Sequence, residues 1–201
     1  MRGVRRGLDD RPTAQRVVAA AAKLFYEKGY SETSMQDVAD EVGVLKGSLY
    51  YYIKTKEDLL VSVVDDVRSG SLALIDEAAA LSGVTAVERL HHYVSSNVTY
   101  HARNVCEGAV FHRELRRLSE GRRHKLGMED AGYEKFVAEM VRAAKREGGV
   151  RGDLEVKSFT KYVFAVINSV FAWYHVGGSI SPEELGRFYA DNLVNGIRPD
   201  A

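Results

Sequence analysis

A single cysteine, Cys106, stands in 201 residues. Its isolation excludes an internal disulfide and a cysteine-built zinc cluster, and such scarcity suits a reducing cytoplasm. Proline is nearly as rare, with three. Long helices are therefore permitted almost everywhere, because proline removes a backbone donor and breaks helix interiors. No apolar run approaches the ~20 residues a membrane span needs, so no membrane partner is expected. The opening MRGVRRGLDDRP is basic but lacks the apolar stretch of a signal peptide. Strand-like alternation, internal repeats and low-complexity tracts are missing too. Net charge is also absent, which at first argues against nucleic acid. The balance is uneven, however. Residues 1–56 hold ten Lys or Arg against seven Asp or Glu, and the remainder eighteen against twenty-one. A mildly basic front precedes an acidic body, and the body has no charge-based reason to bind phosphate.

What is present reads as helix throughout, so the expected class is all-α. Val17, Ala20, Ala21, Leu24 and Phe25 recur at helical spacing behind a cap at Thr13, and Gly29 stops that helix. In TSMQDVADEVG, Thr33 followed by Gln36 reads as a capping box. Met35, Val38, Ala39 and Val42 form the inward face, and Gly43 ends the helix. A two-turn helix follows near Lys46 to Ile53. Thr55 then caps a long helix through Leu59, Leu60, Val63, Val64 and Val67, continuing to about Leu81 or breaking near Gly70. Further helices are expected at 86–101, 105–118, 122–147, 156–176 and 182–196, with Ser181 capping Pro182 at the start of the last.

The two short helices around Gly43 carry the strongest signal. A helix-turn-helix needs a stiff first helix, a tight turn and a second helix slim enough for the major groove. Ala39 is small where the helices should cross, and Val38, Val42 and Leu49 supply a core. The second helix offers Lys46, Ser48, Tyr51 and Tyr52 outward. Lys46 suits phosphate or a guanine edge; the tyrosines suit phosphate and thymine methyls. Gly47 allows close approach of a sugar-phosphate chain. Lys56 adds charge to a helix start that already favours phosphate. Tyr50 divides between core packing and phosphate. Arg2, Arg5 and Arg6 read either as a minor-groove arm or as a plain tail.

The stretch TSMQDVADEVGVLKGSLYYYIKTKEDLL resembles the signature of the TetR family of bacterial regulators, and the resemblance runs from Thr13 to about Leu60. It implies a three-helix DNA-binding domain over residues 1–55 and a helical effector-binding and dimerisation domain over 56–201. It also implies DNA contacts at Thr33, Ser34, Leu45, Lys46, Gly47, Ser48, Tyr50, Tyr51, Tyr52 and Lys56. Ile53 departs where an aromatic is usual, and Tyr52 where histidine is common.

One helix-turn-helix reads few bases, so a dimer on a palindromic double-stranded operator is expected. Phe159, Val163, Val166, Ile167, Val170 and Phe171 spread over a broad face of one late helix, which points to burial on two sides. Its neighbour offers Leu185, Phe188, Tyr189, Asn192 and Leu193. By resemblance these two helices pair with their symmetry mates in a homodimer; filling a monomeric core is the alternative. An effector pocket would draw on Tyr93, Tyr100, Phe111, His112, Tyr133, Phe136, Met140, Tyr162 and Trp173, each of which also suits plain core.

The end, FAWYHVGGSISPEELGRFYADNLVNGI, resembles a branch of that family that senses CoA thioesters. Trp173, Tyr174, Gly177 and Gly178 fit it, while His175 and Val176 stand in place of Arg-Pro. Arg113, Arg116 and Arg117, with Arg122, Arg123 and Lys125, read as phosphate ligands for CoA or as a solvated face. The resulting expectation is a ligand-released repressor of lipid or acyl-CoA genes. The alternatives are a regulator of efflux answering a hydrophobic drug, an activator, and a helical adaptor without DNA binding. It would be cytoplasmic, and nucleoid-associated when on its operator.

Catalysis is not expected. His91 and His92 are adjacent and cannot share a helix face. The other four histidines stand apart, without metal spacing. Nucleophile-elbow, Walker and dinucleotide glycine patterns do not occur. Neither a cofactor nor a metal is implied, only a small-molecule effector, acyl-CoA or another hydrophobic ligand.

Overall fold

The computed structural model describes residues 13–126 and 132–199. Every regular element among them is helical: α1 (Thr13–Glu27), α2 (Met35–Val42), α3 (Lys46–Tyr52), α4 (Lys56–Ala80), α5 (Ala86–Arg103), α6 (Val105–Glu114), α7 (Glu120–Lys125), α8 (Gly132–Arg146), α9 (Val156–Trp173) and α10 (Pro182–Asn195). A single 3₁₀ turn, Leu115–Arg117, follows α6. No described helix is long and apolar enough to cross a membrane.

The chain packs as two compact units. Among the described residues, the first takes residues 13–67 together with Cys106–Leu126, and the second takes Arg68–Val105 and residues 132–199. The boundary expected after residue 55 is therefore not where packing divides. α4 belongs to both units, and a later segment returns to complete the first.

In the first unit, Val17, Ala21, Leu24 and Phe25 of α1 and Val38, Ala39 and Val42 of α2 are buried. Leu49 is the buried anchor of α3. In the second unit, α5 packs against α8, α9 and α10. Leu90, Tyr93, Val94 and Val98 of α5 share one core with Val137, Val141, Val163, Ile167 and Leu193. α10 lies close on α5 because Gly186 lacks a side chain. A Cβ there would fall 2.3 Å from Thr99 Oγ1 and 2.6 Å from the Ser95 carbonyl.

Four boundaries differ from those read in the sequence. Ser34, not Thr33, caps α2: its hydroxyl accepts from the Asp37 N–H, and Asp37 accepts in return from the Ser34 N–H at 2.8 Å. The helix expected over 122–147 is two, α7 ending at Lys125 and α8 beginning at Gly132. α6 stops at Glu114 and tightens into the 3₁₀ turn. α9 stops at Trp173 because Tyr174 turns extended, is buried, and donates its hydroxyl to the Ile180 carbonyl at 3.0 Å. By contrast α4 runs unbroken through Gly70, where an added Cβ would strike the Tyr100 phenol at 2.1 Å.

Candidate nucleic-acid interface

The site begins with a turn. Gly43 takes φ of +78°, a left-handed conformation that glycine adopts without steric penalty. Its N–H donates to the Ala39 and Asp40 carbonyls, and Val44 N–H donates back to Ala39 at 3.0 Å. This closes α2 in a Schellman turn. α3 then starts at Lys46, and Leu49 anchors it, leaving its other faces outward.

Those faces carry large side chains that meet little of their own chain. Tyr51 is 88% exposed and Leu45 80% exposed. Tyr51 stands edge-on to Tyr52, with ring centroids 5.4 Å apart. Lys46, Gly47, Ser48, Tyr50 and Tyr52 are also exposed. Gly47 has no internal purpose, since an added Cβ would meet nothing within 4 Å. A glycine inside a helix costs about 0.5–1 kcal/mol relative to alanine. An outside surface that must come close gives that cost a reason.

Two of the expected contact residues face inward. Thr33 is buried, and its hydroxyl donates to the carbonyls of Gly29 at 2.8 Å and Leu24 at 3.2 Å. Its hydrogen is thus held within the protein. Lys56 is partly buried, and its ammonium donates to three carbonyls: Tyr30 at 2.7 Å, Thr33 at 2.8 Å and Ser31 at 3.1 Å. It also sits 4.5 Å from the centre of the Tyr30 ring. An ammonium has three N–H donors, so this geometry engages all of them. Lys56 acts here as a clasp between the start of α4 and the turn after α1. Ser34 remains exposed, but its hydroxyl is engaged in the α2 cap. The Ser34 hydroxyl, and then Lys28, hold the Asp37 carboxyl well below the usual carboxylate range.

The arginines that offer themselves as CoA phosphate ligands lie in this same unit. Arg113 bonds the Phe25 carbonyl and Glu114. Arg117 pairs with Glu114 and lies over the Tyr30 ring. Arg122 donates to Asp58 at 2.9 Å and pairs with Glu57 at 3.1 Å. The Thr55 hydroxyl, with Arg122 beside it, lowers the Asp58 pKa. Arg123 donates to the Leu118 carbonyl at 2.6 Å. Arg116 is exposed. The arm with Arg2, Arg5 and Arg6 lies outside the described residues, and so does the Lys125 side chain.

The effector and dimer candidates sort differently. Phe111 and His112 belong to the first unit, and His112 is exposed. In the second unit, Tyr93 and Met140 are buried, and Phe136 meets Tyr93 edge-on with centroids 5.5 Å apart. Tyr133 donates its hydroxyl to the Arg68 carbonyl at 3.0 Å. Tyr100 joins His101 and Phe171 in an aromatic group. Tyr162 and Trp173, expected to line the interior, lie instead on the outside. Of the dimer candidates, Phe159, Val163, Ile167, Val170, Leu185 and Leu193 are buried in the unit's own core. Val166, Phe171 and Tyr189 are half-buried, and Asn192 is exposed. The outward apolar groups are Phe188 (58% exposed), Tyr162 (53%) and Trp173 (45%). Trp173 Nε1 donates to the Tyr189 hydroxyl at 3.1 Å, which joins α9 to α10 on that face. Sequence periodicity separates inside from outside poorly on a helix with two apolar faces. The aromatic residues carrying a polar atom, Tyr162 and Trp173, were the available clue.

Comparison with known proteins agrees with this layout. Residues 17–63 match the pattern of bacterial regulatory proteins of the tetR family, and residues 83–197 match a tetracyclin repressor-like C-terminal domain. The HTH-type transcriptional repressor KstR2 of Rhodococcus jostii is 27% identical over 184 residues, covering 88% of this chain and 87% of that protein. The solved structure of the ketosteroid transcriptional regulator KstR2 of Mycobacterium tuberculosis superposes with a TM-score of 0.86 at 22% identity, over 98% of this chain and 100% of that one. The fatty acid metabolism regulator protein of Bacillus subtilis is 24% identical over 188 residues, 93% of this chain and 96% of that protein. AibR, solved in complex with isovaleryl coenzyme A and operator DNA, superposes with a TM-score of 0.77 at 21% identity, over 94% of this chain and 100% of that one.

Proposed function

The chain belongs to the TetR family of bacterial regulatory proteins, and from that premise we propose that it is a homodimeric repressor whose operator is released by an acyl-CoA or closely related acyl effector. The family is one of transcriptional regulators rather than enzymes. The observation that carries the DNA reading is the outward face of α3. It combines a glycine with no internal neighbour and the large exposed side chains Leu45 and Tyr51. Lys46, Ser48, Tyr50 and Tyr52 complete the contact surface. They reach phosphates through ammonium and hydroxyl groups and base edges through their apolar parts. The cytoplasm, where operator DNA lies, is its place of work.

The exposed aromatics of α9 and α10 support the dimer. Tyr162 and Trp173 of α9 and Phe188 of α10 are exposed, and Trp173 meets Tyr189 across the two helices; outward apolar groups of this kind mark an interface. Two copies joined there would present two α3 helices to half-sites about one DNA turn, ~34 Å, apart. The effector needs only to bind one dimer shape more tightly than the other, and occupancy then shifts the population off DNA.

The acyl class rests on two similar proteins, a fatty acid metabolism regulator and an isovaleryl coenzyme A complex. The test is a gel shift with purified protein on DNA flanking its own gene, then a challenge with acyl-CoAs and with hydrophobic drugs. Palindrome-dependent retardation lifted by an acyl-CoA supports the reading. Retardation lifted only by drugs removes the acyl class, and no retardation at moderate salt removes the regulator reading itself.

A further inference from the structure

Among its described residues, the second unit holds two buried side-chain atoms without a hydrogen-bond partner. One is the hydroxyl of Tyr93, a side chain fully enclosed in the core. The other is Nε of Arg68 on α4. Folded proteins satisfy nearly all such atoms, and each exception calls for an explanation, such as an absent ligand. Tyr133 links the two residues through the backbone of Arg68. Tyr133 stands near Tyr93, and its own hydroxyl donates to the Arg68 carbonyl at 3.0 Å. Asn97 also lies beside the Tyr93 phenol, and one of its two amide N–H groups is given to the Tyr93 backbone carbonyl at 2.8 Å.

The surroundings are apolar. Phe136 meets the Tyr93 ring edge-on, and Met140 follows one turn later on α8 in the same core. An Arg Nε–H is a donor only, and a phenol donates as readily as it accepts. Burial pushes the Tyr93 phenol pKa further upward, which keeps it neutral and protonated. The fitting ligand therefore brings an acceptor oxygen into an otherwise hydrocarbon environment.

We propose that Tyr93 and Arg68 are the polar anchor of the effector site, donating hydrogen bonds to the acyl carbonyl oxygen of a ligand whose hydrocarbon packs against Phe136 and Met140. The proposal rests on the acyl-effector reading above and adds the residues that recognise the acyl group. A thioester and a free carboxylate both present that oxygen, so the test includes both sources.

Tyr93→Phe removes the hydroxyl and keeps the ring. The full-length protein, wild type and variant, is melted alone and with octanoyl-CoA, isovaleryl-CoA or sodium octanoate, and dissociation constants are measured for each probe that responds. Without ligand, Tyr93→Phe should melt at the wild-type temperature or above, because an unpaired buried hydroxyl contributes nothing to the folded state. With a responding probe its affinity should fall about tenfold, and Arg68→Met should weaken the same probe. A response to octanoyl-CoA but not octanoate identifies a thioester; the reverse identifies a carboxylate. Wild-type affinity in Tyr93→Phe overturns the anchor while leaving the acyl reading intact. Melting of ligand-free Tyr93→Phe several degrees lower also overturns it, since the hydroxyl then has a structural partner. If no probe stabilises the wild type, the acyl reading fails and the anchor with it.

Discussion

Tyr51 and Tyr93 carry the same side chain into opposite situations. In the first unit, what goes unused within the chain is apolar and exposed: the Tyr51 ring, Leu45 and the bare backbone at Gly47. In the second, apart from the exposed aromatics of α9 and α10, what goes unused is polar and buried: the Tyr93 hydroxyl and Arg68 Nε. Each is costly in its place, and each points to a different kind of absent partner. An exposed ring beside lysine and glycine suits a large charged surface that arrives from outside. A buried donor in an apolar core suits a small molecule that is enclosed.

The contrast can be tested by changing groups that do have internal work and groups that do not. The largest effect should come from Leu49→Ala, which empties the one buried anchor of α3. A loss of about 2–5 kcal/mol of stability is expected in denaturant unfolding, with DNA affinity lost alongside it. Next is Lys56→Met, which leaves the carbonyls of Tyr30, Ser31 and Thr33 without their shared donor. Chemical denaturation should register a loss of about 1–3 kcal/mol. Unchanged stability with lost DNA binding would instead return Lys56 to the phosphate contacts read from its sequence position.

Gly47→Ala should act in the opposite sense on the two properties. Its added methyl meets open space, so stability should rise by roughly 0.5–1 kcal/mol. Operator affinity in a fluorescence-anisotropy titration should fall, because the methyl occupies the plane of approach. Loss of stability would mean that the glycine has an internal role after all.

The smallest effect concerns acid. The Asp37 pKa lies below the ordinary carboxylate value of 3.8, so its contribution is present above that value and disappears as pH falls through the lowered one. The melting temperature should show no Asp37 contribution to its change between pH 7 and 5. Below about pH 4 the wild type should lose stability more steeply than Asp37→Asn.

Much of this was legible beforehand, for physical reasons that differ by region. The α2–α3 pair was readable because a short motif must meet several local demands at once: a cap, a small crossing residue, a left-handed glycine and one anchor. Gly43, Ala39 and Leu49 met them in the expected roles. The cap falls on Ser34 rather than Thr33, because Ser34 and Asp37 form the reciprocal box while the Thr33 hydroxyl turns inward. Lys56 shows a different limit. Its sequence position suits phosphate, and only the folded chain brings the carbonyls of Tyr30, Ser31 and Thr33 to its ammonium.

In the second unit, α9 is apolar on several faces, so periodicity did not tell Val163, which is core, from Tyr162, which is surface. The orphan hydroxyl of Tyr93 has no sequence signal at all. It depends on what neighbouring helices fail to offer.

Tyr51 tests the account most directly. Operator affinity by anisotropy and melting temperature are measured on the same preparations of wild type and Tyr51→Ala. The ring is exposed, so the melting temperature should hold within about 0.5 kcal/mol of equivalent stability. Affinity should drop by roughly 1–3 kcal/mol, about 5- to 150-fold. Unchanged affinity, or a drop that merely follows a fall in melting temperature, would contradict the assignment of the α3 face to DNA.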